Sequence, residues 1–148
     1  MLDDWDMRFL ELARHVATWS KDPSTQVGAV IVDRKRRVVS MGYNGFPRGV
    51  EDSIKRYKDR DEKLKFICHA ERNALDNSPH SVEGCALYAT FMPCNECAKS
   101  IIQRGITTVY TVRPNWEMDA DPFLWTRFNW KYTIKMFDEA GVRLRYVD

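Results

Sequence analysis

The sequence predicts an α/β protein, a three-layer α/β/α sandwich around a mixed sheet of five strands. Three observations carry that expectation. The β-branched run at 27–33 (VGAVIVD) is followed by a basic turn and a second short run, which reads as an antiparallel hairpin. From about residue 70 onward, strand and helix patterns alternate, and such repeats imply right-handed crossovers with parallel neighbours. The 148 residues are 44% hydrophobic, with no internal repeat, linker or low-complexity segment, so one domain over 1–148 with one core is expected.

Residues 4–19 place Phe9, Leu12, Ala13 and Val16 at helical spacing, and Pro23 enforces the break in the loop 21–25. Strands at 27–33 and 38–42 then flank the turn 34–37. Residues 43–49 (YNGFPRG) are rich in turn formers and read as a shaped, exposed loop, the kind of segment that often carries function. Residues 51–65 alternate in charge sign and read as a solvated helix or an ordered loop. A helix starts near Ala70, a strand covers 86–91, a helix starts at Cys94, and a strand covers 106–112. A helix of about four turns over 124–140 stops at Gly141, ahead of a last strand at 142–147.

Composition narrows the function classes. The net charge of +2 gives no global basic field, so non-specific nucleic-acid binding is not expected and any anion site is local. The N-terminus, MLDDWDMRF, is unlike a secretory signal, and no segment is long enough to span a bilayer, so a cytoplasmic protein is expected. Four cysteines in that setting favour thiols or metal thiolates over a disulfide framework. Five tryptophans exceed what a domain of this size commonly hides, which points to self-association as a dimer or a multiple of one.

Two motifs carry chemistry. His69-Ala70-Glu71 opens one helix, and Pro93-Cys94-Asn95-Glu96-Cys97 opens the next. Cysteines three apart at a helix start share a face, so both sulfurs reach one ion, and the helix dipole there favours thiolate. Each motif alone has a plain alternative: a redox disulfide for CxxC, a core histidine for HxE. Together, His69, Cys94 and Cys97 fill three tetrahedral positions and leave the fourth for water, the stoichiometry of one catalytic zinc per chain. Glu71 is not a ligand. It is placed to take a proton from the attacking water, pass it to a ring nitrogen and protonate the departing ammonia. The amides of Ala70 and Cys94, at helix starts, are candidates for holding the substrate or the attacking oxygen.

The pair matches the H-x-E … P-C-x-x-C signature of zinc-dependent nucleobase deaminases. Adding 20–33 (SKDPSTQVGAVIVD), 42–49 (GYNGFPRG), 69–75 (HAERNAL) and 92–106 (MPCNECAKSIIQRGI), nearly the whole chain resembles the deoxycytidylate (dCMP) deaminase branch of the cytidine deaminase superfamily. The resemblance implies hydrolysis of dCMP to dUMP and ammonia, supplying dUMP for thymidylate synthesis. It also implies that Asn44 binds the sugar 3′-hydroxyl, that Lys21 with Ser24 or Thr25 lies near the 5′-phosphate, and that zinc sites lie near subunit contacts. The loop 20–25 offers a cation, two hydroxyls and free amides, which suits a phosphate but is also common in a polar turn. Asn44 by itself also reads as a turn residue, and Arg48 and Arg113 as either anion contacts or solvated charges.

Some members of the branch bind dCTP and dTTP as effectors at the GYNG-type loop, and some carry a second zinc before the HAE motif. Residues 51–65 contain no cysteine or histidine, so a second zinc there is not expected. Cys68 and Cys85 read as small buried hydrophobes, and His15 and His80 as having no metal role. Residues 113–130 depart from the best-known members in a segment expected to wall the pocket, which leaves other cytosine nucleotides, a nucleoside or an RNA base open as substrates. A non-catalytic zinc module is the further alternative, against which Glu71 argues.

Overall fold

In the computed structural model, residues 2–114 and 128–147 are described. Helix α1 (Asp4–Ala17) starts with a reciprocal cap: Asp3 accepts from the Asp6 amide at 2.8 Å, and the Asp6 carboxylate accepts from the Asp3 amide at 3.0 Å. Its buried stripe is Phe9, Leu10, Ala13, Val16 and Ala17. Strands β1 (Gly28–Val32) and β2 (Val38–Tyr43) form the expected antiparallel hairpin. Two short helices follow, α2 (Ile54–Lys58) and α3 (Arg60–Phe66), and then α4 (Ala70–Asn77), β3 (Ala86–Ala89), α5 (Asn95–Gln103) and β4 (Thr108–Thr111). Helix α6 (Trp130–Ala140) and strand β5 (Arg143–Tyr146) complete the described chain.

The sheet has the order β2-β1-β3-β4-β5, antiparallel across β2/β1 and β1/β3 and parallel across β3/β4 and β4/β5. The mixed five-stranded sandwich is as expected, with one refinement. Strands β2 and β3 run parallel but are not neighbours, because β1 lies between them. Burial explains the order: every residue of β1 is buried, as a central strand requires, whereas β2 alternates with exposed residues and suits an edge. Ala29 and Ile31 face a core with α4, α5 and α6, while Val30 and Val32 join Phe9, Ala13 and Tyr88 under α1.

One expectation is refined and one changes. Residues 51–65 are mostly helical and mostly exposed, as expected, but Tyr57 is buried, stacked 4.2 Å from the Phe46 ring, and anchors the segment as a cap. The helix expected over 124–140 cannot run through Asn129, whose φ of 50° is left-handed; its first residues, 124–127, lie outside the described ones.

One close approach seats the site. A Cβ on Gly42 would stand 2.3 Å from the Ala74 nitrogen and 2.6 Å from the Ala70 carbonyl oxygen, so the α4 backbone packs directly on β2. Because Gly28 pairs with Tyr43 and Ala29 with Ala89, the loops before β1, after β2 and after β3 converge at one end of the sheet. The starts of α4 and α5 meet there.

Candidate active site

His69 is the N-cap residue of α4, yet its side chain makes no cap hydrogen bond. The ring turns instead to the next helix start: Nδ1 is 3.5 Å from Cys94 Sγ and 3.3 Å from Cys97 Sγ. A tetrahedral zinc with sulfur near 2.3 Å and nitrogen near 2.0–2.1 Å gives an S···N edge of roughly 3.6 Å. The three ligand atoms lie within 4.8 Å of one another, so His69, Cys94 and Cys97 are positioned to hold a metal ion. Cys94 is also the N-cap of α5, accepting from the Cys97 amide at 3.5 Å. From behind, α6 pins this turn: Trp130 Nε1 donates to the Met92 carbonyl at 3.1 Å and Thr133 Oγ1 to the Pro93 carbonyl at 3.0 Å.

The electrostatics suit a cation. The Cys97 thiol, and after it His69 and the Cys97 amide, hold the Cys94 thiol far below its ordinary value. Cys97 is pushed the other way by its hydrogen bond to Cys94, by burial and by the nearby Glu71. A divalent ion between them removes that conflict, since a coordinating thiol is deprotonated outright. Glu71 is buried beside the cluster and is not one of its members. Burial pushes its carboxyl up, against an opposing pull from His69.

His69, Glu71 and Cys94 line one end of a cleft of about 470 Å³ that also takes in Asn44, Ala70, Ser24, Thr25, Asp22 and Lys63. Asn44 is buried and clamped: Oδ1 accepts from the Val27 amide at 2.8 Å, and Nδ2 donates to the Thr25 carbonyl at 2.9 Å and to Asp22 Oδ2 at 3.3 Å. Both amide hydrogens are therefore committed, and Oδ1 keeps one lone pair. Backbone bonds between Gly45 and Cys68, at 3.1 and 2.8 Å, tie this loop to the residue before His69.

Most of the expected site residues meet here, with exceptions at the proposed phosphate loop. Lys21 does not line the cleft; its side chain is 60% exposed and pairs with Asp52 at 2.9 Å. The Ser24 and Thr25 amides are not free, because Asp22 Oδ1 accepts both, at 2.9 and 3.4 Å, so only their hydroxyls and the adjacent cations are available. Arg48 bonds Asn77 at 2.7 Å, and Arg113 lies over the Tyr146 ring at 4.3 Å; neither lines the cleft. Sequence reasoning missed Arg60, Lys63, Leu64 and Ile67, which wall the cleft from α3 and the residue after it. Their i, i+3, i+4, i+7 spacing was the available signal. Of the tryptophans, Trp5 and Trp19 are exposed, Trp130 is buried, and 116 and 125 lie outside the described residues.

The comparisons agree with this geometry. The family model for the cytidine and deoxycytidylate deaminase zinc-binding region matches residues 3–113. The chain is 41% identical to an uncharacterized deaminase of Aliivibrio fischeri over 99% of this chain and 96% of the relative. It is 38% identical to human deoxycytidylate deaminase over 96% of this chain and 79% of that one. The fold is shared with the dCMP deaminase of cyanophage S-TIM5, solved with dCMP and dUMP, at a TM-score of 0.76 and 24% identity, covering 99% of each chain. The chain belongs to the cytidine and deoxycytidylate deaminase zinc-binding family.

Proposed function

We propose that the protein hydrolyses dCMP to dUMP and ammonia. The observation that carries this reading is a buried carboxylate, Glu71, beside a His-Cys-Cys cluster and outside it, in a cleft large enough for a nucleotide. The identity to human deoxycytidylate deaminase over almost the whole chain supports dCMP as the substrate.

His69, Cys94 and Cys97 hold the ion, and zinc bound there supplies Lewis acidity to the attacking water. Glu71 accepts a proton as that oxygen attacks C4 and delivers it to the ring nitrogen. It then carries a second proton to the amine, so that ammonia leaves and C4 keeps the oxygen. A carboxyl raised by burial holds a proton readily between these transfers. Ala70, first in α4, has an amide outside the helical ladder and positions the base or the attacking oxygen. Asn44 offers its remaining lone pair to the sugar 3′-hydroxyl, while Ser24 and Thr25 offer hydroxyls toward the phosphate.

Self-association is part of the proposal, supported by the exposed Trp5 and Trp19; sedimentation at micromolar concentration should give a dimer or a multiple. Metal-binding thiols fit a reducing, cytoplasmic setting, and no described helix is long and apolar enough to cross a membrane. Ammonia release across CMP, dCMP, dCTP, deoxycytidine, adenosine and single-stranded nucleic acid tests the substrate. The proposal expects dCMP to lead, and a lead for any other member would replace it. Added dCTP and dTTP, the effectors implied by the resemblance, should alter the rate at subsaturating dCMP.

A further inference from the structure

We propose that Lys63 of α3, aimed by Asp22, is the residue that reads the substrate's phosphate; the inference rests on the nucleotide reading above. The Lys63 ammonium lies 2.7 Å from Asp22 Oδ2, with the two side chains only 15% and 2% exposed. Both residues line the cleft. An ammonium has three donors. One goes to Asp22, and among the described residues no second partner takes the other two.

Asp22 is fully engaged. Its Oδ1 accepts from the Ser24 and Thr25 amides and its Oδ2 from Asn44 and Lys63, so it joins three segments at the cleft and fixes where the ammonium sits. A buried ion pair is weak evidence for stability, because desolvation offsets most of the attraction. Two spare donors on a desolvated cation facing a cleft are better explained by an anionic ligand. Among the described residues of this wall, Lys58 and Lys63 outnumber Asp22, while Glu71 belongs to the metal end. Asp22, which reaches the ligand through Lys63, is a positioning residue.

The test compares kcat/KM for dCMP and deoxycytidine in the zinc-loaded protein. Lys63→Met should lower the dCMP-to-deoxycytidine ratio at least about tenfold, chiefly through KM for dCMP, and Lys63→Arg should recover most of it. Since Lys63→Met leaves the buried Asp22 without its counter-charge, the double variant D22N/K63M removes both charges and keeps a carbonyl for the Ser24 and Thr25 amides. It should fold, by circular dichroism, and also lose the ratio. Retention of the wild-type ratio in the double variant would overturn the inference, even with both rates reduced, because a simple tether of the cap affects the two substrates alike. A wild-type protein with no preference for dCMP would instead remove the nucleotide reading itself.

Discussion

The metal end of the cleft takes its groups from two helix starts, each a few consecutive residues, whereas the opposite wall is assembled from three segments distant in sequence. His69 and Glu71 flank the first residue of α4, and Cys94 and Cys97 frame the first turn of α5, so helix geometry does most of the positioning. Asp22, Asn44 and Lys63 sit in a loop before β1, a loop after β2 and a helix of the cap, joined by side-chain bonds at 3.3 and 2.7 Å. The difference teaches that the reaction is encoded locally and substrate choice through tertiary packing. Substitutions at the first end should abolish chemistry for every substrate, and those at the second should redistribute it among substrates.

The largest effect expected at the metal end is from Cys97→Ala. Outer partners of a metal site typically cost ten- to a hundredfold, so loss of a ligand should exceed about a thousandfold for dCMP and deoxycytidine alike. Metal analysis of the purified variant should show the zinc gone. A variant that kept its zinc would break the division of labour between the two ends.

Glu71→Gln should keep the zinc and lose about a hundred- to ten-thousandfold in kcat. It also carries a stability signature. Burial raises the Glu71 carboxyl in the folded protein, so as pH rises the unfolded chain gives up this proton first, and ionisation costs the fold stability from the ordinary glutamate range upward. In metal-stripped protein, Glu71→Gln should therefore melt higher than wild type at neutral pH. The gain should vanish once the pH falls below the unfolded glutamate value. Equal melting at neutral pH would mean that Glu71 is not held in the desolvated site described here.

The smallest effect sharpens the opposite wall. Lys21 was expected near the phosphate, but it is exposed and paired with Asp52, so Lys21→Ala should change kcat/KM for dCMP by less than about threefold. A tenfold loss would return the phosphate cation to Lys21 and away from the buried Lys63.

How far each end was legible in the sequence follows from the same contrast. HAE and PCNEC could be read as ligands because their spacing and their helices are both local, and the structure brings those four side chains together. The β-branched 27–33 run and the turn formers at 43–49 likewise gave the hairpin and the loop that holds Asn44. Lys63 was hidden among four lysines between 55 and 65, where alternating charge looks solvated; the apolar Leu64 and Ile67 mark the side that lines the cleft. The insertion of β1 between β2 and β3 was also out of reach, since strand patterns report a buried face and not the identity of a neighbour. The break at Asn129 depends on a left-handed residue inside an otherwise helical pattern.

The central claim, that one zinc held by His69, Cys94 and Cys97 supports deamination of dCMP, is tested most directly by measuring ammonia release from dCMP against bound zinc in the same preparation. The account predicts close to one zinc per chain, activity that falls in proportion as a chelator removes it, and recovery when zinc alone is returned. Full activity in a metal-free preparation would contradict it.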